Sequence, residues 1–289
     1  MPSLKVIRKR ISSVKSTQQI TKAMKMVAAA KLRRAQDAAT QARPYAGKLS
    51  EQLAAVAARV GGSVAHPLLA VREEEKVVDL ILVTSDRGLC GGYNANLIRK
   101  CEAFIAEKPD AEVRLTIIGG KGTSYFKNHS LRIFEEHTNL QKGPGRPLAV
   151  QLGQRVSRDY ATGASDAVYV VYNQFQSAIS QVPTLEKILP VVESSTAQDA
   201  ANLVDYIYEP DPVSLLGRLL AQYVNTLIYR AFLEAIASEH AARMTAMDSA
   251  TSNASDMMER LTLAMNRARQ AAITTELMEI VSGAESLKG

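Results

Sequence analysis

Near its C-terminus the chain carries an apolar repeat whose steps alternate between four and three residues. The repeat runs for more than four heptads, through Met247, Thr251, Ala254, Met258, Leu261, Met265, Ala268, Ala272, Thr275 and Glu279. This spacing is typical of a coiled-coil helix, which needs a second helix to cover its seam. The repeat therefore constrains the fold more than any other feature, because a partner helix has to be found.

The N-terminal segment is the candidate partner, because its apolar residues follow a similar period. These residues are Ile7, Ile11, Val14, Thr21, Ala28 and Leu32. We predict a long antiparallel two-helix coiled coil formed by both ends of the chain, residues 1–60 and 211–287. Pro44 cannot donate a helix hydrogen bond, so we expect a kink or break there, with the first helix ending near Ala42.

Residues 76–208 have a different pattern, in which apolar runs alternate with helical segments. Strands are predicted at residues 77–83, 113–118, 131–134, 167–172 and 188–192, with helices at 95–107 and 147–160. This alternation is typical of a parallel, Rossmann-like α/β domain. Asp211 and Pro212 then suit the N-cap and the first position of the C-terminal helix. The predicted fold class is therefore α/β, with a central domain between two coiled-coil helices.

Composition excludes several classes of protein. With 46% apolar and 22% charged residues the chain is typical of soluble proteins, and no apolar run approaches the ~18 residues of a membrane span. The N-terminus is too charged for a signal peptide. Its basic, acid-poor composition would suit an organelle transit peptide, but the same helical pattern continues past residue 35.

Charge is concentrated at the N-terminus. Residues 1–43 hold eleven Lys/Arg and one acid, Asp37, a balance of +10 within a chain whose net charge is +6. Such a segment indicates an acidic partner: a protein surface, nucleic acid or anionic lipid. A second apolar stripe at Ile20, Met24 and Val27 favours a protein surface. The absence of any aromatic residue before Tyr45 argues against a groove for single-stranded nucleic acid.

Two loops follow predicted strands where nucleotide phosphates are often bound. Ser85–Asn94 lacks the G-x-G-x-x-G spacing, and in Gly119–Ser124 a glycine, Gly122, stands where a Walker loop needs Ser or Thr. Cys90 could be a nucleophile, but no histidine lies near it to act as a base, which favours a structural role. The cysteines and histidines have no metal-ligand spacing. We expect no catalytic residue, cofactor or metal.

The predicted seam is thin, because several of its positions are alanine. A seam of small residues brings two helices close together but buries little apolar surface. The helix also ends in a run of apolar residues: Leu277, Met278, Ile280, Val281 and Leu287. Exposed apolar residues mark interaction sites, so a sleeve of other subunits around the coiled coil would account for both features.

Three stretches of the chain together resemble a known family. These are Arg10–Ala29, the loop Ser85–Asn94, and the segment from Ser238 to Ala254 with its continuation from Asn266 to Glu279. They resemble the signatures of the gamma subunit of F-type ATP synthase, the central rotor stalk, and the resemblance covers essentially the whole chain.

The resemblance implies a non-catalytic subunit with no cofactor and no nucleic-acid partner. The coiled coil would fill a ring of three alpha and three beta subunits, and the beta subunits would hold the catalytic sites. The lower coil and the α/β domain would bind the epsilon subunit and the membrane-embedded c-ring. The chain would thus be peripheral to a bacterial inner membrane, on its cytoplasmic side, and would contact the membrane only through the c-ring.

The resemblance also implies roles for single residues. Contacts with the catch loop of beta fall on Arg269, Gln270, Thr274 and Glu276. Contacts with the acidic lever loop of beta fall on Lys22, Met24 and Lys25. The foot on the c-ring is expected at Tyr206, Tyr208 and Glu209, and an upper bearing at Ile280 and Val281. Cys90 and Cys101 do not correspond to the regulatory cysteine pair of chloroplast members.

Two other functions remain open at this point. A coiled-coil scaffold or nucleic-acid-binding protein would use the basic helix and would show retention on DNA or RNA with a steep salt dependence. A nucleotide-using enzyme built on the α/β domain would bind ATP as an isolated chain, which the missing phosphate loop argues against.

Overall fold

The computed structural model describes residues 4–60, 66–129, 133–140, 145–191 and 211–286. In chain order, its helices and strands are α1 (Leu4–Val60), β1 (Val77–Val83), α2 (Tyr93–Ala106), β2 (Glu112–Ile118), α3 (Gly120–Phe126), β3 (Ile133–His137), α4 (Gly145–Ala161), β4 (Ala167–Phe175), β5 (Gln181–Leu189) and α5 (Pro212–Ser286). The two terminal helices and the α/β order between them agree with the predicted fold class.

α1 continues through Pro44, so the predicted break at that residue and the helix end near Ala42 are wrong. A proline removes one main-chain hydrogen bond from a helix, a local loss that packing can offset. Here the turns that follow the proline are anchored, because Leu49, Leu53 and Val56 are buried.

The start of α5 agrees with the prediction. Asp211 Oδ1 accepts hydrogen bonds from the main-chain N–H groups of Val213 (3.0 Å) and Ser214 (2.9 Å), as an N-cap does. The bond from Ser214 is the main reason that the pKa of Asp211 is lowered. Pro212 takes the first helical position, where its missing N–H would have had no partner.

The sheet has the strand order β3-β2-β1-β4-β5. The four strands β1 to β4 are parallel, as predicted, but β5 is antiparallel to β4 and begins earlier than expected. A parallel strand needs a crossover of a dozen or more residues, and only residues 176–180 separate β4 from β5. That short connection allows only a hairpin, so the expectation of a parallel sheet holds for β1 to β4 and fails for β5.

Each face of the sheet has its own apolar core, because side chains alternate along the strands. On β1, Ile81 and Val83 pack in a cluster with residues of α4 and α5, whereas Leu80 and Leu82 pack with residues of α2. The sheet is therefore covered by helices on both faces, as expected for a parallel sheet.

A second compact unit is formed by residues 1–28 and 244–289. Within it, three side-chain bonds join α1 to α5: Gln18 Nε2 to Ser255 Oγ (2.6 Å), Thr251 Oγ1 to Thr21 Oγ1 (2.8 Å), and Lys25 Nζ to Asp248 Oδ1 (2.6 Å). Residue numbers rise on one helix as they fall on the other, so the pairing is antiparallel. The predicted two-helix coiled coil is confirmed.

Burial along α5 follows the predicted seam. Every predicted position from Met247 to Ala272 is buried or half-buried, whereas Thr275 and Glu279 are exposed. The seam stops near the first described residue of α1: paired residue numbers add to about 272, which puts Leu4 opposite about residue 268. Residues 273–284 are accordingly exposed.

A close helix contact in the α/β domain generates a first prediction. A Cβ atom at Gly153 of α4 would lie 2.0 Å from Asn225 Oδ1 and 3.2 Å from Asn225 Cα. We expect Gly153→Ala to destabilise the chain by about 1–3 kcal/mol through overpacking. The matched control is Gly47→Ala in α1, where no atom lies within 4 Å and alanine should stabilise by about 0.5–1 kcal/mol. Thermal unfolding of both variants checks this, and shifts of the same sign would contradict it.

A second prediction concerns pH. Burial, together with the charges of Arg243 and Lys31, lowers the pKa of His240 from 6.5 to about 4. Between these values the unfolded chain binds a proton that the folded chain does not, so stability falls as the pH drops. From about pH 7 to about pH 5 the loss due to His240 should be about 2 kcal/mol. Urea unfolding at both pH values should show a smaller loss in His240→Gln; an unchanged loss would contradict this assignment.

Candidate partner-binding site

The outer face of α1 in the coiled coil is basic and partly apolar. Residues 4–28 contain seven Lys/Arg and no acid. Two members of the second apolar stripe, Ile20 and Val27, are more than half exposed, while Met24 is half-buried. Uncovered apolar residues among like charges indicate a surface that another molecule covers.

The structure separates the two lysines predicted to meet the lever loop. Lys22 is exposed, whereas Lys25 is half-buried and forms a salt bridge of 2.6 Å with Asp248 of α5. The amino group of Lys25 therefore already has a partner within the coiled coil. Lys22 is the more available of the two for an acidic group of another protein.

The predicted catch and bearing residues lie together on the end of α5. Arg269, Gln270, Thr274 and Glu276 are all exposed, as are Ile280 and Val281. Steps of four and three place them on two adjoining stripes of the helix: Arg269, Ile273, Glu276 and Ile280 on one, and Gln270, Thr274, Leu277 and Val281 on the other. One helix end thus presents polar groups first and apolar groups in its last turns.

These surfaces suit contacts that form and break. The hydroxyl of Thr274 donates to the main-chain oxygen of Gln270 at 2.9 Å, while the Arg269 and Gln270 side chains extend from an exposed stretch. Exposed polar groups exchange water for a partner at a modest net free-energy change. The predicted foot residues Tyr206, Tyr208 and Glu209 lie outside the described residues.

The place where doubly wound domains usually bind ligands is filled by the chain itself. This crevice lies at the carboxyl ends of β1 and β4, where the strand order reverses. Three side chains tie α5 into it: Tyr93 Oη donates to the Ala235 oxygen (3.1 Å), Ser238 Oγ donates to the Asn173 oxygen (2.8 Å), and Arg243 Nη2 donates to the Arg87 and Gly88 oxygens (3.3 Å each). Helix α5 thus takes the position that a nucleotide would need.

Sequence reasoning missed this use of the loop Ser85–Asn94, for which it considered only phosphate binding or a tight turn. The sequence of α5 does carry a signal that this helix packs against the loop. Ser238, Glu239 and His240 stand between the short apolar runs 235–237 and 241–242. All three are buried. Three consecutive polar residues are rarely buried without partners, so they point to polar groups on a facing element.

The second glycine-rich loop is satisfied internally as well. Asp86 Oδ1 accepts hydrogen bonds from the main-chain N–H groups of Gly120 (3.2 Å) and Asn139 (3.0 Å), and Thr84 Oγ1 accepts one from Gly122 (3.0 Å). Gly119 has a φ of 105°, and a Cβ there would lie 2.3 Å from the Thr84 oxygen. The donors that a phosphate would use are taken, which supports the interpretation as a tight turn.

Both cysteines are buried and free of disulfides. Burial raises the pKa of the Cys90 thiol, and it raises that of Cys101 to about 12. A thiol that stays protonated is a poor nucleophile, so the structural role of Cys90 is favoured. Across the described ranges, no helix is both long and apolar enough to cross a membrane.

Comparison with known proteins identifies the family. A protein-family model described as ATP synthase matches residues 3–287. ATP synthase gamma chains from Geobacter metallireducens and Chlorobium phaeobacteroides are 51% and 47% identical over 291 and 295 residues, covering all of both chains in each case.

Solved structures give the same answer. A chain of the central stalk and c-ring structure of Tetrahymena thermophila mitochondrial ATP synthase is 27% identical, with a TM-score of 0.61 over 80% of this chain and 99% of that chain. A chain from the Euglena gracilis mitochondrial ATP synthase is 20% identical and shares the fold, with a TM-score of 0.67 over 98% of this chain and 94% of that one. Full-length identity near one half to named relatives, together with the family match, shows that this chain belongs to the ATP synthase gamma chain family.

Proposed function

We propose that this chain is the rotor of the central stalk of an F-type ATP synthase. It passes rotation of the membrane c-ring to a ring of three alpha and three beta subunits, couples proton transport to ATP synthesis or hydrolysis, and has no catalytic site of its own. The observation that carries the proposal is the antiparallel helix pair, whose basic and apolar outer faces are left uncovered within the chain.

The alpha and beta subunits are the partners that these faces fit. An enclosing ring would cover the apolar residues at the end of α5, among them Ile273, Leu277 and Ile280, each at least half exposed. Below them, Arg269, Gln270, Thr274 and Glu276 would meet the catch loop of each beta subunit in turn. Polar contacts allow this sequence, because they can be replaced by water between one beta subunit and the next.

The basic face of α1 fits the acidic lever loop of beta. Lys22 would reach the loop directly, and Met24 would pack beside it. Lys25 would contribute positive charge while staying paired with Asp248. Apart from Lys25, residues 4–28 carry six Lys/Arg side chains and no acid, and those within the ~8–10 Å screening length of physiological salt attract an acidic loop.

The remaining partners are the epsilon subunit and the c-ring. Tyr206, Tyr208 and Glu209 would form the foot on the c-ring, and Ile280 and Val281 would run in the upper bearing. The chain would be peripheral, on the cytoplasmic face of a bacterial inner membrane, with the c-ring as its only membrane contact.

Purification at native abundance tests this function. An affinity tag on the chain should recover alpha, beta and epsilon subunits with it, in a ratio of about three to three to one for each copy of the chain. Quantitative mass spectrometry of the complex measures this ratio. Recovery of the chain without alpha and beta, or with nucleic acid in their place, would contradict the proposal.

Substitution in the catch region gives a second test. Arg269→Leu and Gln270→Leu should each lower ATP synthesis in membrane vesicles by about tenfold, because hydrogen bonds to charged groups contribute about 1.5–3 kcal/mol. Both residues are exposed, so unfolding of the isolated chain should change by less than about 0.5 kcal/mol. The control is Arg99→Leu, an exposed arginine of α2. If both catch variants synthesise ATP as fast as the control, Arg269 and Gln270 do not form the proposed contact.

A further inference from the structure

The contacts that hold α5 in the crevice of the α/β domain form a compact set, which we call the α5 seat. The seat consists of four hydrogen bonds. Tyr93 bonds to Ala235, Ser238 bonds to Asn173, and Arg243 bonds to both Arg87 and Gly88. Each bond joins a side-chain donor to a main-chain oxygen. Arg243 Nη2 also donates a hydrogen bond to Glu239 Oε1 at 2.7 Å.

The seat is an internal structure and not part of a partner surface. Tyr93, Asn173 and Ser238 are at most 4% exposed, so no other subunit can reach their hydrogen-bonding groups. The Arg243 side chain is 13% exposed, far less than the residues of the catch region. The role of the seat therefore has to lie within this chain.

The geometry of the seat opposes rotation of α5 about its own axis. Its bonds span residues 235–243, more than two helical turns, and they reach α2, β4 and the loop after β1. A turn of one residue rotates a helix by about 100° and moves it by about 1.5 Å along its axis. Such a movement would break all of these bonds and leave buried polar groups without partners, which is unfavourable.

We propose that the α5 seat is the joint that bears torque in this chain: through it, the α/β domain holds α5 against twisting when the rotor is driven. The proposal rests on the proposed rotor function and specifies the residues that carry torque into the helix. α5 continues as one helix from the seat to Ser286, so a load taken up at Ser238 and Arg243 acts on the same helix that bears Arg269 and Gln270.

The reactivity of Cys90 can report whether the α5 seat is intact. Cys90 lies in the loop that Arg243 holds, is 2% exposed, and accepts a hydrogen bond from Asn94 Nδ2 at 3.3 Å. Loosening of the seat should let this loop open and expose the thiol. Cys101, fully buried about two turns further along α2 and bonded to no residue of the seat, serves as an internal reference.

The test variant is Tyr93→Phe with Ser238→Ala, which removes two buried hydroxyls and no exposed group. In the isolated full chain, alkylation of Cys90 by N-ethylmaleimide should become about tenfold faster, because local opening costs less free energy, while the rate at Cys101 stays the same. Mass spectrometry of the two cysteine peptides measures both rates. Ser238→Ala alone is the milder variant, with a smaller change in the same direction, should the pair prevent folding.

The matched control is Tyr125→Phe with Ser124→Ala in α3. It also removes one tyrosine and one serine hydroxyl that donate hydrogen bonds, to Glu102 Oε1 (2.8 Å) and the Gly120 oxygen (2.7 Å), but neither contacts α5. The control should leave the Cys90 rate within about twofold of the wild type.

The second measurement is made on the assembled enzyme in inverted membrane vesicles, as protons pumped per ATP hydrolysed. The seat variant should fall to about half of the wild-type ratio or less, and the control should match the wild type.

An unchanged Cys90 rate would overturn the proposal, because removing two bonds of the seat would not have loosened it. A faster Cys90 rate with wild-type pumping would also overturn it, and would leave the rotor function intact. Failure of the wild-type chain to support pumping would instead reject the rotor function, and the torque-bearing joint with it.

Discussion

The pairing of the two chain ends along a seam of small residues is the constraint on which the rest of this structure depends. Thr21, Ala28, Thr251 and Ala254 occupy positions where larger apolar residues would bury more surface. Each methylene that is missing from such a seam forgoes about 0.8 kcal/mol of burial. A narrow helix pair is obtained at that cost, and it leaves apolar faces exposed within the chain.

The α/β domain illustrates how a familiar fold can serve another purpose. Its strand order creates the crevice in which related architectures bind nucleotides. Here Asp86 satisfies one set of main-chain donors, and α5 fills the remaining space through Ser238 and Arg243. The crevice thus holds a helix of the same chain.

Much of the fold could be predicted from sequence, because its signals are local. The heptad positions from Met247 to Ala272 and the N-cap at Asp211 follow from residue spacing over a few turns. Two predictions were wrong because they depended on more than local pattern. Packing of the following turns keeps α1 helical through Pro44, and the short connection after Phe175 makes β5 antiparallel. The catch, lever and bearing residues came from the family resemblance, and their contacts remain predictions.

By itself, the sequence determined that the two ends pair as helices and that the N-terminal end is strongly basic, since periodicity and charge can be counted along the chain. Only the tertiary structure decided that Tyr93 meets Ala235 and that Arg243 meets the loop at Arg87. These groups lie more than 140 residues apart. The order of strands in the sheet brings them together, and that order depends on how distant segments pack and not on any local pattern.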